Sequence, residues 1–361
     1  MKKIGISISK YVRTLKLFRS LLGVVLFVGA LSVGIFIYFN AAPVAVPKST
    51  ETVTVDNELK TVNIEIHGGE SANSVGRRLQ SAGIIKNVTF WKLIAHTNKQ
   101  YIKKGIYHFE YPQTQIAIHK IFEEGKEVLY RITVPEGITI KKIGAILDEK
   151  EICDEYDFID ACKDSVILHR FDIPGGTMEG FLFPDTYLFP QGYSAKNAVI
   201  KMGENFFRHM NDMEIDIRKL SKKELYEKIT LASIIEREYR VDDEAPIMGG
   251  VFTNRISKNI KLESCATVEY IITEIQNKPH PERLFNRDIA ISNPYNTYIV
   301  SGLPPGPISC PGEVAIKAAF FPAQSEYLFF RVVDPSAGRH YFSKTFDDHI
   351  KAGELYVKGQ S

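Results

Sequence analysis

From Leu21 to Phe39 the chain reads LLGVVLFVGALSVGIFIYF, apolar throughout and without a single charge. A helix of that length and composition spans a bilayer, and Tyr38 and Phe39 fall where an interfacial aromatic belt sits. Beyond it the apolar positions become periodic. Val62, Ile64 and Ile66 alternate, which predicts a half-buried strand. Val75, Leu79 and Ala82 share helical spacing and stop at Gly83. Phe90, Trp91, Leu93 and Ile94 predict a second helix, residues 105–111 a strand, and TQIAIHKIFEEG a helix ending at Gly125. Together these make a small α+β module over residues 61–130. A strand at 130–134 then runs into the turn Pro135-Glu136-Gly137 and a helix over 139–150. Further on, the pattern predicts a helix at 313–320, a strand at 327–333, and a last strand and helix within 340–352. The expected fold class is α+β: an N-terminal transmembrane helix (21–39) behind a basic segment (1–20), a linker (40–60), the small module, and a larger α+β domain (131–355).

One residue breaks the pattern. Lys222 to Tyr239 reads as a helix, with Leu225, Ile229, Ala232 and Tyr239 on one stripe, and Glu236 falls in the middle of that stripe. An ionised carboxylate on an apolar face is costly unless paired, so its pKa is expected to rise. A carboxylic acid that keeps its proton near neutral pH can serve as a general acid. The competing reading is a structural glutamate satisfied by Arg240 or Arg255. Glu238 lies about 200° away on the wheel and reads as structural.

Charge and cysteines narrow the picture. Lys2, Lys3, Lys10, Arg13, Lys16 and Arg19 precede the apolar run with no acid among them, which keeps that end in the cytoplasm and exports everything after Asn40. Ala41, Ala42 and Ala45 admit a cleaved signal peptide, but the apolar run exceeds a typical signal core and favours an uncleaved anchor. The whole chain carries 45 Lys and Arg against 43 Asp and Glu. With the six leading cations set aside, the rest is slightly acidic and offers no basic stripe for nucleic acid. The histidines form no cluster, so neither a metal nor another cofactor is expected. An exported location permits disulfides. Cys153 with Cys162 and Cys265 with Cys310 are the candidate pairs, against four free thiols.

FLFPDTY, LASIIERE, VFTNR, ATVEY, SNPYNTY and SGLPPGPI with its following Pro-Gly occur in that order between Met178 and Gly312. In this order and spacing, with the Pro-Glu-Gly turn and the anchor, the chain resembles the endolytic murein transglycosylases of the MltG (YceG-like) family. The small module resembles that family's LysM-like domain. The resemblance implies that Glu236 is the catalytic acid. It also implies cleavage of the β-1,4 bond between N-acetylmuramic acid and N-acetylglucosamine, leaving a 1,6-anhydro ring without consuming water. Its expected partners are peptidoglycan glycan strands, peptidoglycan synthases and penicillin-binding proteins, with the membrane reached through the N-terminal helix.

Ordinary glycosidases need two carboxylates. A lytic transglycosylase manages with one, because the sugar's own C6 hydroxyl attacks the anomeric carbon. Amides, hydroxyls and an aromatic ring suit sugar binding, which makes Asn254, Thr267, Asn296, Thr297 and Tyr298 candidates, against turn-forming and packing roles. Glu263, where family members commonly carry Gln, is the remaining binding candidate. The segment also departs from a common family form that carries Asp-Pro at Cys265 and Ala266. Leu303 to Ile308 reads as a rigid loop because its prolines cannot pair as strand interior, and Asp185 reads as a turn or cap residue. Two other functions compete: a non-catalytic peptidoglycan-binding scaffold for a synthase, and a water-using muramidase with Glu236 and Glu263.

Overall fold

A computed structural model of the chain describes residues 2–43, 53–56, 61–97, 102–110, 112–125 and 128–358. Its contacts separate two units, Met1–Val128 and Leu129–Ser361.

The first unit opens with α1 (Lys2–Asn40), whose stretch Tyr11–Asn40 is long and apolar enough to cross a membrane. Its large apolar side chains from Tyr11 to Tyr38 are exposed, as a lipid-facing helix requires. A three-stranded antiparallel sheet follows, in the order β1 (Val53–Asp56), β2 (Thr61–Ile66), β3 (Gly105–Glu110). The strand β1 falls inside the stretch read as linker, most of whose other residues lie outside the described ones. Between β2 and β3 run α2 (Ala72–Ser81) and α3 (Val88–Thr97), and α4 (Gln115–Glu124) comes after.

Alternation along β2 sends Val62, Ile64 and Ile66 into a core shared with Leu79, Trp91, Tyr107 and Phe122. Aromatic side chains bury roughly 150–250 Å² each, enough for Trp91 and Phe122 to dominate so small a core. Phe39 O accepts a hydrogen bond from Gln115 Nε2 at 2.9 Å, and Asn40 Oδ1 accepts one from the Ile116 N–H at 3.0 Å. These bonds tie the end of α1 to the start of α4.

In the second unit β4 (Tyr130–Thr133) leads to α5 (Ile140–Glu149), α6 (Glu155–Ala161) and α7 (Ser165–Arg170), and then β5 (Thr186–Phe189) pairs antiparallel with β4. The long α8 (Ala195–Asp212) precedes α9 (Lys222–Glu238), which starts at a capping box formed by Ser221 and Glu224. Then come α10 (Ala245–Ser257), α11 (Cys265–Tyr270) with a π-helical continuation Ile271–Ile275, α12 (Asn286–Ile289) and α13 (Glu313–Phe320). The hairpin β6 (Phe329–Asp334) and β7 (Arg339–Ser343) and the helix α14 (Phe346–Lys358) complete it. The fold is α+β, with α9 at the heart of the larger core through Ile229, Ala232, Ile234 and Ile235.

Of the two cysteine states left open by the sequence, paired or free, the structure has the second. All four thiols are free. Cys310 is buried with Sγ 3.8 Å from Glu179 Oε1, whereas Cys265 is exposed with Sγ 3.2 Å from Tyr298 Oη.

Candidate functional site

The last turn of α9 meets two loops. Ser233 Oγ accepts the Ile308 N–H at 3.0 Å, and Ser233 O accepts from Ser309 Oγ at 3.1 Å. These bonds hold the loop that follows the proline-rich run against the helix. The same loop is bridged to the Pro135–Gly137 turn: Cys310 O accepts the Gly137 N–H at 2.9 Å, and Ile138 O accepts the Cys310 N–H at 2.8 Å. Gly137 has φ +72°, a conformation that glycine adopts without strain, and its Cα side lies against Glu236.

One turn beyond Ser233, Glu236 enters the junction of helix, turn and loop. Its Oε2 accepts the Gly312 N–H at 2.9 Å. Burial pushes its carboxyl up to about 8; the Gly312 hydrogen bond and Arg237 oppose the shift, while Glu136 and Asp242 add to it. Neither arginine weighed as its partner is engaged with it as an ion pair: Arg255 pairs with Glu263, and the Arg240 side chain lies beside Gly338. The arrangement can hold a proton near neutral pH and release it to an acceptor brought into the junction.

The remaining candidates gather elsewhere. Glu238, the last residue of α9, accepts a hydrogen bond from Ser264 Oγ, and burial pushes its carboxyl up to about 7. Thr297 Oγ1 accepts the Ser264 N–H at 3.0 Å and lies 2.9 Å from Thr267 Oγ1, which donates to Ser264 O at 2.8 Å. Glu263, in a left-handed conformation with φ 55°, binds Arg255 through Oε2 and donates its N–H to Thr297 O at 3.2 Å. Glu238, Glu263, Thr267, Thr297 and Tyr298 thus form one cluster around Ser264 and Cys265. Arg237, which lies between Glu236 and Glu238 in sequence, makes a salt bridge at 2.9 Å to Glu269 of α11.

Asn296 is fully buried and spends its amide on the Ile289 and Ile291 carbonyls and the Tyr298 N–H. Asn254 donates to Ser325 O and Tyr327 O, at 2.8 and 3.0 Å, and so joins α10 to the approach to β6. Asp185 accepts from the Thr186 N–H and from Asn205 Nδ2.

Two acids were missed by sequence reasoning. Glu136 sits in the turn over Gly312, where a β-carbon on that glycine would overlap its carboxylate. Glu179 is buried, caps the first N–H of α5 at Ile140, and is pushed by burial up to about 8. Neither belongs to a periodic face, so hydrophobic spacing carries no signal for them. For Glu136 the available signal was its place in a Pro-Glu-Gly turn.

The profile described as the YceG-like family matches residues 64–354. The chain belongs to that family. It is 28% identical over 348 residues to a Bacillus subtilis protein named endolytic murein transglycosylase, covering 91% of each chain. A Streptococcus pneumoniae protein of the same name is 24% identical over 81% of this chain, and the match spans 58% of that longer relative. Among solved structures, a putative yceG-like protein of Listeria monocytogenes aligns with a TM-score of 0.55 and 27% identity, over 81% of this chain and 98% of that one.

Proposed function

We propose that this chain is an endolytic murein transglycosylase in which Glu236 is the catalytic acid. The observation that carries the reading is the Glu236 carboxyl itself, half-buried beside Gly312 and pushed up to about 8 by burial. Its support in kinship is a family profile covering residues 64–354 and relatives of that name.

In the proposed reaction Glu236 donates its proton to the glycosidic oxygen as the bond from that oxygen to the muramic-acid C1 breaks. The C6 hydroxyl of the same sugar then attacks C1 and gives its proton back to Glu236, closing the 1,6-anhydro ring. The proton count balances without water. An internal nucleophile also supplies rate through proximity, so one carboxylate suffices for the proton transfers.

Asn254, Thr267, Asn296 and Thr297 act in this reading through the shape of the loops rather than by direct sugar contact, since their polar atoms are bound to their own chain. Tyr298 and Glu263, both incompletely buried, remain candidates for substrate contact. The α1 helix anchors the chain in the plasma membrane with its basic N-terminus in the cytoplasm. The larger unit then works outside, on glycan strands emerging from membrane-bound synthases, which are the proposed partners. The small module holds glycan or spaces the larger unit from the bilayer.

The deciding experiment treats purified peptidoglycan with the full chain and with Glu236→Gln and weighs the released muropeptides. Anhydro products from the native chain and none from the variant are expected. Products heavier by one water would make the enzyme a hydrolase, and undiminished release by the variant would remove Glu236 from the acid role.

A further inference from the structure

Glu136 has no part in the scheme above, yet it shares a glycine with the proposed acid. The turn that carries it is bound to the 308–312 loop at both Gly137 and Ile138. Its carboxylate folds onto Gly312 so closely that no β-carbon fits there, while the N–H of that same glycine donates to Glu236. Two carboxyl groups therefore flank one residue.

The charges around them are mostly of one sign. Asp242 approaches from the short 3₁₀ turn after α9, and Glu313, ion-paired with Lys317, stands at the start of α13. Tyr239 follows α9 directly. Arg237 is the cation that acts on Glu236, and its guanidinium is already bound to Glu269. Burial, Asp242 and Glu313 raise the Glu136 carboxyl as well. The Glu136 carboxylate is one of the charges that raise the Glu236 carboxyl, so removing it should be felt in the titration of Glu236.

We propose that Glu136 is a positioning residue for Glu236: packed on Gly312, it aims that N–H at Glu236, and its negative charge keeps the proton on the acid that faces the glycosidic oxygen. The proposal rests on Glu236 being the acid. It assigns a role to the Pro-Glu-Gly turn that the two-step reaction leaves open.

The test measures kcat/KM of the full chain in detergent on purified glycan strands from about pH 5 to about pH 9. Native protein, Glu136→Gln, Glu136→Asp and Glu236→Gln are compared, with Tm recorded for each. In Glu136→Gln the alkaline limb should move acidward by about one unit, leaving activity about fivefold lower near pH 8 and about tenfold lower near pH 9 while activity at the acid end is kept. Glu136→Asp should restore part of that shift.

An unchanged limb, or a loss equal at every pH, would overturn the proposal, the latter marking a merely structural turn if Tm falls with it. Complete loss at every pH with Tm unchanged would also overturn it and make Glu136 a catalytic carboxylate. Activity persisting in Glu236→Gln would instead sink the assignment beneath it, and the two failures are therefore distinguishable.

Discussion

Gly312 gives its backbone N–H to Glu236 Oε2 across 76 positions of sequence, at 2.9 Å. One neutral donor is small compensation for a carboxylate taken out of water. A hydrogen bond to a charged group nets about 1.5–3 kcal/mol, whereas the effective penalty for burying an ion reaches several. Burial wins, and the proton stays on. Gly312 thus orients the acid without forcing it to ionise.

Gly312→Ala tests that contact from the other side. The backbone there is ordinary extended chain, so alanine brings no torsional strain, but its methyl group would overlap the Glu136 carboxylate. Something must shift, and overpacking of this kind costs about 1–3 kcal/mol. A lowered Tm together with a loss of cleavage is expected, since the group displaced is the Glu136 side chain packed over the N–H that Glu236 accepts. Native activity in this variant would show that the framing is loose.

The Ser264 cluster should behave as structure. Removing the Ser264 hydroxyl leaves the Glu238 carboxyl without that donor, at a cost of about 1–3 kcal/mol. Ser264→Ala is expected to lower the urea midpoint while kcat falls less than threefold, because Gly312 and Glu136 are untouched. A large fall in kcat at an unchanged midpoint would move the chemistry toward Glu238.

Glu263→Gln separates binding from ion pairing. Its partner Arg255 is 7% exposed but keeps the Lys261 and Leu328 carbonyls at 2.7 and 2.9 Å, and Glu263 itself is half exposed. The stability loss should therefore be about 1 kcal/mol, below the 3–5 of a fully buried pair. Product masses should not change, because Glu263 packs with the Ser264 cluster rather than with Glu236. A weaker KM at full stability would show Glu263 touching sugar.

The elements were legible in the chain because apolar periodicity is local. The β2 alternation, the α9 stripe and the glycine stop of α4 each announce themselves within a dozen residues. The α9 stripe also exposed Glu236 as out of place. What surrounds that acid was not legible, because Glu136 and Gly312 reach it through turns that have no period. Asn296 and Thr297 stayed ambiguous in the sequence for a related reason. An amide in a loop reads equally as a sugar ligand or a backbone cap, and the buried Ile289 and Ile291 carbonyls that Asn296 satisfies appear only once the loop closes. The strand β1 was missed because a pairing edge needs backbone alone, and its partner lies across a stretch that reads as linker.

Stability should fall as pH rises through neutrality. Burial raises Glu179, Glu236 and Glu238 from the ordinary glutamate value of 4.5 to about 8, about 8 and about 7. Between 4.5 and those values the native chain holds protons that the unfolded chain has released, so the slope of unfolding free energy with pH is negative. Their contribution is complete below 4.5 and is lost by about pH 8. Glu179→Gln isolates one part of it. The amide oxygen can still accept the Ile140 N–H but carries no proton to lose, so the decline in Tm from about pH 5 to about pH 8 should become shallower than in the native chain. The comparison is the difference between the two curves, which cancels every other titrating group. Parallel curves would mean that Glu179 ionises in the folded protein as freely as it does in water.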